Sequence, residues 1–123
     1  MKLLIADDSP IIRKVVKAAA DGLQMETIEA QNGIEALEKL SVFYKETGLI
    51  LLDWHMPEMN GYDALVAIKG NDQYKAIPVM MLTAEGQKSN IIAAIRAGAD
   101  NYQIKPFTPD ELKSKIAECI GRE

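Results

Sequence analysis

Short apolar runs alternate along the chain with longer segments in which apolar residues recur at helical spacing. The short runs are 3–6, 49–52, 77–82 and 102–104, and the alternating segment 25–30 adds a further strand. A short continuous apolar run is typical of a strand buried on both faces. The segments with helical spacing are 11–23, 34–44, 62–70, 87–97 and 108–120. Five strand–helix units predict an α/β fold in which a five-stranded parallel sheet carries five helices on its two faces.

The helical spacing also predicts which side chains face the sheet. In chain order the predicted inward-facing residues are Ile11, Ile12, Val15, Val16, Ala19, Leu23, Ile34, Leu37, Leu40, Leu65, Val66, Ile68, Ile91, Ile92, Ile95, Leu112, Ile116 and Ile120. Three helix starts have a recognisable cap, at Ser9, Asn32 and Thr108, and a proline follows the first and third of them. Asn32 and Thr108 are each followed three positions later by Glu, as in a capping box.

Composition narrows the class of protein. The chain has 123 residues, 48% of them hydrophobic and 26% charged, which predicts a single domain over 1–123 with a proper core. Eighteen acidic residues against 14 basic ones give a net charge of -4 without a basic cluster, which argues against nucleic acid as a partner. Cys119 is the only cysteine, so no internal disulfide or cysteine-based zinc site is expected. We expect no membrane span and a reducing, cytoplasmic location.

Polar residues follow four of the five predicted strands. Asp7 and Asp8 end the first strand, Asp53 the third, Thr83 the fourth and Lys105 the fifth. One such aspartate is more often a helix cap than a ligand. In a parallel sheet, however, the carboxyl ends of the strands share one edge. The joint pattern therefore predicts one shallow site with three carboxylates, a hydroxyl and an ammonium group.

These side chains suit phosphoryl transfer. Neighbouring carboxylates raise one another's pKa unless a cation offsets them, and Mg²⁺ prefers such oxygens together with water and phosphate. Asp53 is the candidate nucleophile, since carboxylates form covalent aspartyl phosphates. Lys105 and the Thr83 hydroxyl can bind phosphoryl oxygens. Ala84 has a small side chain that leaves the approach open. Positioning and charge neutralisation supply most of the catalysis in such reactions.

Four motifs make the chain similar to receiver domains of the two-component response-regulator family. They are Asp7-Asp8, Asp53 with Met56-Pro57 and Gly61, Thr83-Ala84, and Lys105-Pro106-Phe107. The resemblance covers the whole chain and is closest to the stand-alone chemotaxis regulators of that family. It implies a flavodoxin-like, doubly wound sheet with strand order 2-1-3-4-5. The alternative is a receiver domain excised from a larger regulator with a C-terminal effector domain.

The resemblance also implies how the site works. A partner histidine kinase donates a phosphoryl group to Asp53, and Mg²⁺, or another divalent cation such as Mn²⁺, is held by Asp8, Asp53 and the backbone carbonyl of His55. Asp7 holds water or positions the metal. The chain is then a monomeric signalling protein, not an enzyme, although it assists its own phosphorylation and dephosphorylation. Its output partner is a protein such as a flagellar motor switch component, and a phosphatase is a further partner.

An output face and a switch are implied as well. Thr83 moves toward the phosphoryl group and Tyr102 swings inward behind it. The residues expected on the switch and partner face are Tyr102, Ala84, Gly86, Ile91, Ile104 and Lys115. Core packing is the alternative interpretation for Ile91 and Ile104. The Lys105–Pro106 bond is expected to be cis.

Two residues, His55 and Glu85, flank the expected phosphoryl position. We predict that they modulate the lifetime of the acyl phosphate, whereas a solvated loop histidine is the alternative interpretation for His55. The neighbouring Trp54, the only tryptophan, should report Mg²⁺ binding by its fluorescence.

Two other functions fit the sequence less well. A carrier of flavin phosphate needs a Ser/Thr/Gly-rich loop after the first strand, where this chain has Asp7-Asp8. A Mg²⁺-dependent phosphohydrolase that uses Asp53 as nucleophile commonly has a second acid two residues later, where this chain has His55.

Overall fold

Strands and helices alternate strictly in the computed structural model, which describes residues 1–84 and 87–121. The elements are β1 (Lys2–Ala6), α1 (Pro10–Asp21), β2 (Glu26–Ala30), α2 (Gly33–Phe43), β3 (Thr47–Asp53), α3 (Gly61–Lys69), β4 (Val79–Ala84), α4 (Lys88–Arg96), β5 (Asn101–Lys105) and α5 (Pro109–Ile120). Each predicted strand and helix is confirmed, with ends that differ by a few residues. Of the described helices, none is long and apolar enough to cross a membrane.

The five strands form one parallel sheet in the order β2-β1-β3-β4-β5, which confirms the order that the family resemblance implied. The chain moves outward from β1 to β2 and then returns to the other side of β1 with β3. This reversal places a crevice outside the carboxyl ends of β1 and β3, where open α/β sheets bind their ligands. The fold therefore locates the site between Ala6 at the end of β1 and Asp53 at the end of β3.

Helices cover both faces of the sheet and create two separate cores. Successive strand residues point to opposite faces, so Leu3 and Ile5 join one core whereas Leu4 and Ala6 join the other. The helices α1 and α5 bury their apolar residues in the first core. The helices α2, α3 and α4 bury theirs in the second. The central strands β1, β3 and β4 are consequently apolar on both faces, as their continuous apolar runs indicate.

Five predicted inward-facing residues are instead exposed, and those predictions are wrong. Their exposed fractions are 74% for Ile11, 42% for Ile34, 47% for Val66, 52% for Ile92 and 54% for Ile95. Neighbouring positions on a helix are separated by about 100°, so a residue next to a buried one can point to solvent. In α4 the fully buried position is taken by Ala94. The apolar side chains beside it point to solvent.

The predicted helix caps are confirmed. The side chains of Ser9, Asn32 and Thr108 each accept a hydrogen bond from the backbone N–H three residues later, at 3.3, 2.8 and 3.1 Å. Only the α5 cap has the full reciprocal arrangement of a capping box. At α2 the carboxylate of Glu35 accepts from the backbone N–H of Gln31 at 3.2 Å. These bonds satisfy amides that lack partners in the first turn of a helix.

Candidate functional site

The polar residues that follow the strands meet at one edge of the sheet. Asp7 comes directly after β1, Asp53 is the last residue of β3, and Lys105 is the last residue of β5. Asp7, Asp8 and Asp53 each offer a carboxylate oxygen within 4.8 Å of the others. Thr83 lies in β4 directly before Ala84, and Ala84 pairs with Lys105 of β5. The predicted convergence of these five residues is thus present in the fold.

Lys105 joins the two buried carboxylates. Its Nζ donates to Asp7 Oδ2 at 2.9 Å and to Asp53 Oδ1 at 3.1 Å. The Asp7 side chain is completely buried, and its second oxygen accepts from the backbone N–H of Ser9 at 2.9 Å. Asp8 is exposed and completes the group at its solvent side. One ammonium group therefore faces three carboxylates, which leaves the site with an excess of negative charge.

The excess of negative charge affects the pKa values of Asp53 and Lys105. Burial, followed by the charge of Asp7, raises the pKa of Asp53 above its usual range, even though Lys105 opposes the shift. Burial lowers the pKa of Lys105, but the hydrogen bonds and charges of Asp7 and Asp53 outweigh that effect and raise the pKa overall. Lys105 is consequently charged at neutral pH. A divalent cation would balance the remaining negative charge of the three carboxylates.

The Thr83 hydroxyl is buried without a partner. Thr83 is 2% exposed, and its Oγ1, like that of Thr27, has no hydrogen-bond partner among the described residues. Leaving a buried hydroxyl unsatisfied costs about 1–3 kcal/mol. A hydroxyl in this position can donate to an oxygen atom that enters this edge of the sheet. The observation agrees with the role predicted for Thr83.

The loop after Asp53 runs close to the strand end. Gly61, the first residue of α3, donates from its backbone N–H to Trp54 O at 2.9 Å. A Cβ added at Gly61 would lie 2.1 Å from Asp53 O and 3.1 Å from Trp54 Cα. Only glycine leaves room for this approach of two backbone segments. Trp54 itself is half-buried, with its ring 5.4 Å from that of Tyr62.

The donor atoms at this edge fit Mg²⁺. Two carboxylates are buried and one is exposed, so protein oxygens and water can both reach a common point. Mg²⁺ takes oxygen ligands and usually retains several waters beside one or two carboxylates. His55 follows Asp53 by two residues and is exposed in the loop after β3, and its backbone carbonyl remains a predicted further ligand. The cluster of Asp7, Asp8 and Asp53 can therefore hold a metal ion.

Sequence reasoning missed Arg13. Its Nη1 donates to the backbone oxygen of Asp7 at 2.7 Å, and its Nε donates to Glu29 Oε1 at 2.9 Å. Arg13 thereby fixes the turn that presents Asp7 and Asp8. No local pattern predicts these contacts, because Asp7 and Glu29 are six and sixteen positions from Arg13.

The predicted switch face is only partly apolar. Tyr102 is half-buried, and Lys115 Nζ lies 5.8 Å from the centre of its ring. Ile91 is half-buried and Ala84 exposed. Ile104 is 38% exposed, so the alternative interpretation that it packs in the core is wrong. Gly86, which was predicted on the switch face, lies outside the described residues. So does Glu85, which was predicted beside the phosphoryl position.

The Lys105–Pro106 peptide bond is cis, as the resemblance implied. The His55 side chain is exposed in the loop between β3 and α3. This placement is compatible with both interpretations of its role. It remains a predicted modulator of the acyl-phosphate lifetime.

Comparisons with known proteins agree with the fold. The family model of the response regulator receiver domain matches residues 3–117. Chemotaxis protein CheY1 of Helicobacter pylori strain J99 is 43% identical over 122 residues, which cover 98% of each chain. A chemotaxis protein CheY homolog of Campylobacter jejuni is 38% identical over 122 residues, 98% of this chain and 93% of the relative. The structure of Vibrio cholerae CheY4 superposes with a TM-score of 0.87 at 31% identity and covers 96% of this chain and 97% of its own. With its five-stranded order and the motifs at the strand ends, the chain belongs to the response regulator receiver domain family.

Proposed function

We propose that this chain is a phospho-acceptor switch of a two-component system, with Asp53 as the acceptor. The observation that carries the proposal is the joint placement of the Asp53 carboxylate, its Lys105 partner and the unpartnered Thr83 hydroxyl beside Asp7 and Asp8. A nucleophile, two groups for phosphoryl oxygens and a metal-binding cluster then occupy one strand edge. This combination suits phosphoryl transfer to Asp53 better than it suits flavin-phosphate binding or phosphohydrolysis.

In the proposed reaction, an Asp53 oxygen attacks the phosphorus of a phosphohistidine on a partner kinase. The new O–P bond forms as the N–P bond breaks, and the leaving imidazole nitrogen keeps the electron pair and takes up a proton from water. Lys105 moves its charge to a phosphoryl oxygen, and Thr83 Oγ1 donates to another. Asp8, Asp53 and the His55 carbonyl would hold Mg²⁺, and Asp7 would fix a bound water or the metal position. The bound ion would neutralise the charge that gathers on the carboxylates and the phosphoryl oxygens.

The output of the proposed switch lies on β5 and its flanking helices. Thr83 and Tyr102 occupy neighbouring paired strands, because Thr83 pairs with Ile104 and Met81 with Tyr102. A new bond at Thr83 therefore changes the packing next to Tyr102. The proposed partner face consists of Tyr102, Ala84, Ile91, Ile104 and Lys115. A Tyr102→Ala variant should still accept phosphate but lose phosphate-dependent partner binding, and unchanged binding would refute this role.

The relatives support chemotaxis as the setting, since chains 38–43% identical over nearly their full length are named chemotaxis proteins. We propose a histidine kinase as phosphodonor, a flagellar motor switch component as target, and a phosphatase that resets the signal. The chain would act as a monomeric, cytoplasmic unit that assists its own phosphorylation and dephosphorylation. His55→Ala tests the lifetime role of His55, because identical decay rates of the two phosphorylated proteins would exclude it.

The acceptor role is tested by incubating the protein with a small phosphodonor and Mg²⁺ and recording its intact mass. We expect one phosphoryl adduct, which disappears with a chelator and in Asp53→Asn. Asp63→Asn is a matched control, because Asp63 is an exposed residue in the first turn of α3 and is not one of the three clustered carboxylates. An adduct that persists in Asp53→Asn would place the acceptor elsewhere.

A further inference from the structure

The loop between β3 and α3, residues 54–60, is attached to the start of α2. Asn32 Nδ2 donates to Glu58 Oε2 at 3.1 Å, and the backbone N–H of Gly33 donates to Met59 O at 3.0 Å. The other end of the same amide caps α2, since Asn32 Oδ1 accepts from the backbone N–H of Glu35 at 2.8 Å. One side chain therefore connects a helix start to the loop that follows Asp53.

The intrinsic backbone preferences of the loop residues do not explain the conformation of the loop. Glu58 has φ 65°, a left-handed conformation that residues with long side chains rarely adopt. A conformation of this kind persists where surrounding contacts enforce it. The hydrogen bond to Asn32, which is 7% exposed, is such a contact and comes from a well-anchored residue.

Close packing reinforces the attachment. A Cβ added at Gly33 would lie 2.6 Å from Met59 Cγ and 2.9 Å from Met59 O. The backbones of α2 and the loop are therefore as near as they can be. The two ends of the loop are also held together, where Gly61 abuts the carbonyl of Asp53. His55 lies between Asp53 and Glu58, and its carbonyl is the metal ligand of the proposed function.

We propose that Asn32 is a positioning residue for the metal site, acting through Glu58 on the loop that carries His55. This inference rests on the proposed function. Asn32 does not touch the reacting groups. It holds the loop so that the His55 carbonyl faces Asp8 and Asp53 before the metal arrives. Partners of metal ligands commonly have this orienting effect.

The two ends of the Asn32 amide allow the cap and the loop contact to be separated. Asn32→Asp keeps an oxygen that caps α2, and aspartate caps as well as asparagine. It replaces the donor to Glu58 with a second carboxylate, so the contact becomes repulsive. The double variant Asn32→Asp/Glu58→Gln restores a donor and acceptor in the reverse direction, with the net charge of the original chain. Glu58→Gln alone retains an acceptor oxygen for Asn32.

Two measurements on the full chain test the inference. Mg²⁺ affinity is titrated by Trp54 fluorescence, and amide exchange of Gly33 is followed by NMR without metal. In Asn32→Asp we expect about 10-fold weaker Mg²⁺ binding and faster Gly33 exchange, with both values restored in the double variant. The added negative charge by itself would tighten Mg²⁺ binding, so charge alone predicts the opposite result. A urea unfolding curve for each variant verifies that the fold is retained.

The outcomes separate this inference from the proposed function. Absence of Mg²⁺ binding by the unaltered protein would overturn both. If the unaltered protein binds Mg²⁺ and Asn32→Asp binds it equally well, the inference alone is overturned. It is overturned as well if Asn32→Asp binds weakly but the double variant is not restored, because the hydrogen bond between the two side chains would then not be the cause.

Discussion

The approach of Gly61 to the end of β3 gives the sharpest test of how the fold positions the acceptor. In Gly61→Ala, the new Cβ would lie 2.1 Å from Asp53 O, whereas unstrained contacts need about 3.5 Å. The obstructing atoms belong to backbone, including Asp53 C at 2.9 Å, so no flexible side chain can move aside. The start of α3 and the carbonyl of Asp53 must separate by more than about 1 Å.

Gly61→Ala should lower both the stability of the protein and its rate of phosphorylation, by different amounts. Overpacking of this kind costs about 1–3 kcal/mol of the free energy of unfolding. A displacement of about 1 Å in a reacting group can lower a rate about 100-fold, and Asp53 is the residue displaced. We therefore expect a moderate loss of stability and a larger loss in the rate of phosphorylation at saturating phosphodonor. Urea unfolding and the initial rate of adduct formation measure the two effects.

Gly48→Ala is the matched control. Its Cβ would lie 1.9 Å from Met1 Sδ, which is a closer contact, but Met1 is terminal, 56% exposed and free to move. The control should therefore retain its stability and its phosphorylation rate. Near-normal phosphorylation of Gly61→Ala, or an equal loss in both variants, would refute the view that the backbone contact at Gly61 positions Asp53.

Three further predictions concern the charges and the hydroxyl of the site. Thr83→Val should raise the free energy of unfolding by about 1 kcal/mol, because it removes an unsatisfied buried hydroxyl, while it slows phosphorylation; a less stable protein with an unchanged rate would contradict this. Burial and Asp7 raise the pKa of Asp53 in the folded state. The contribution of Asp53 to the free energy of unfolding is therefore fully present below the ordinary aspartate pKa of about 3.9. It is lost as the pH rises through the pKa of Asp53 in the folded state. In the presence of a chelator, Asp53→Asn should therefore unfold at a higher urea concentration than the unaltered protein at pH 7, but not at pH 3. Equal urea midpoints of the two proteins at pH 7 would contradict this prediction. Lys105→Met should destabilise the metal-free protein by about 1–3 kcal/mol at pH 7, less than for a fully buried pair because Lys105 is 23% exposed. Added Mg²⁺ should recover part of that loss, and a variant as stable in chelator as the unaltered chain would contradict the assignment.

The strands and the candidate site could be predicted because they depend on local patterns and one geometric rule. Continuous apolar runs such as 49–52 indicate buried strands, and the carboxyl ends of parallel strands share an edge. Those two facts bring Asp7, Asp53 and Lys105 together without knowledge of the strand order. The order itself came from family resemblance, because periodicity does not say which strands are neighbours.

Other features could not be predicted, for physical reasons that differ. Which of two adjacent aliphatic residues faces the sheet depends on the rotation of a helix about its axis, and this is why Ile92 and Ile95 were assigned to the wrong face. The contact between Asn32 and Glu58 joins residues 26 positions apart. The left-handed backbone at Glu58 has no sequence signal, since glycine or asparagine would be expected there.

The central claim is that Asp53 receives the phosphoryl group, and locating that group chemically tests it most directly. After phosphorylation in Mg²⁺, borohydride reduces an aspartyl phosphate to homoserine, which peptide sequencing by mass spectrometry can place. We expect homoserine at position 53 alone, and none in the presence of a chelator or in Asp53→Asn. Homoserine at Asp7 or Asp8, or a stable phosphoryl group on a hydroxyl such as that of Thr83, would contradict it.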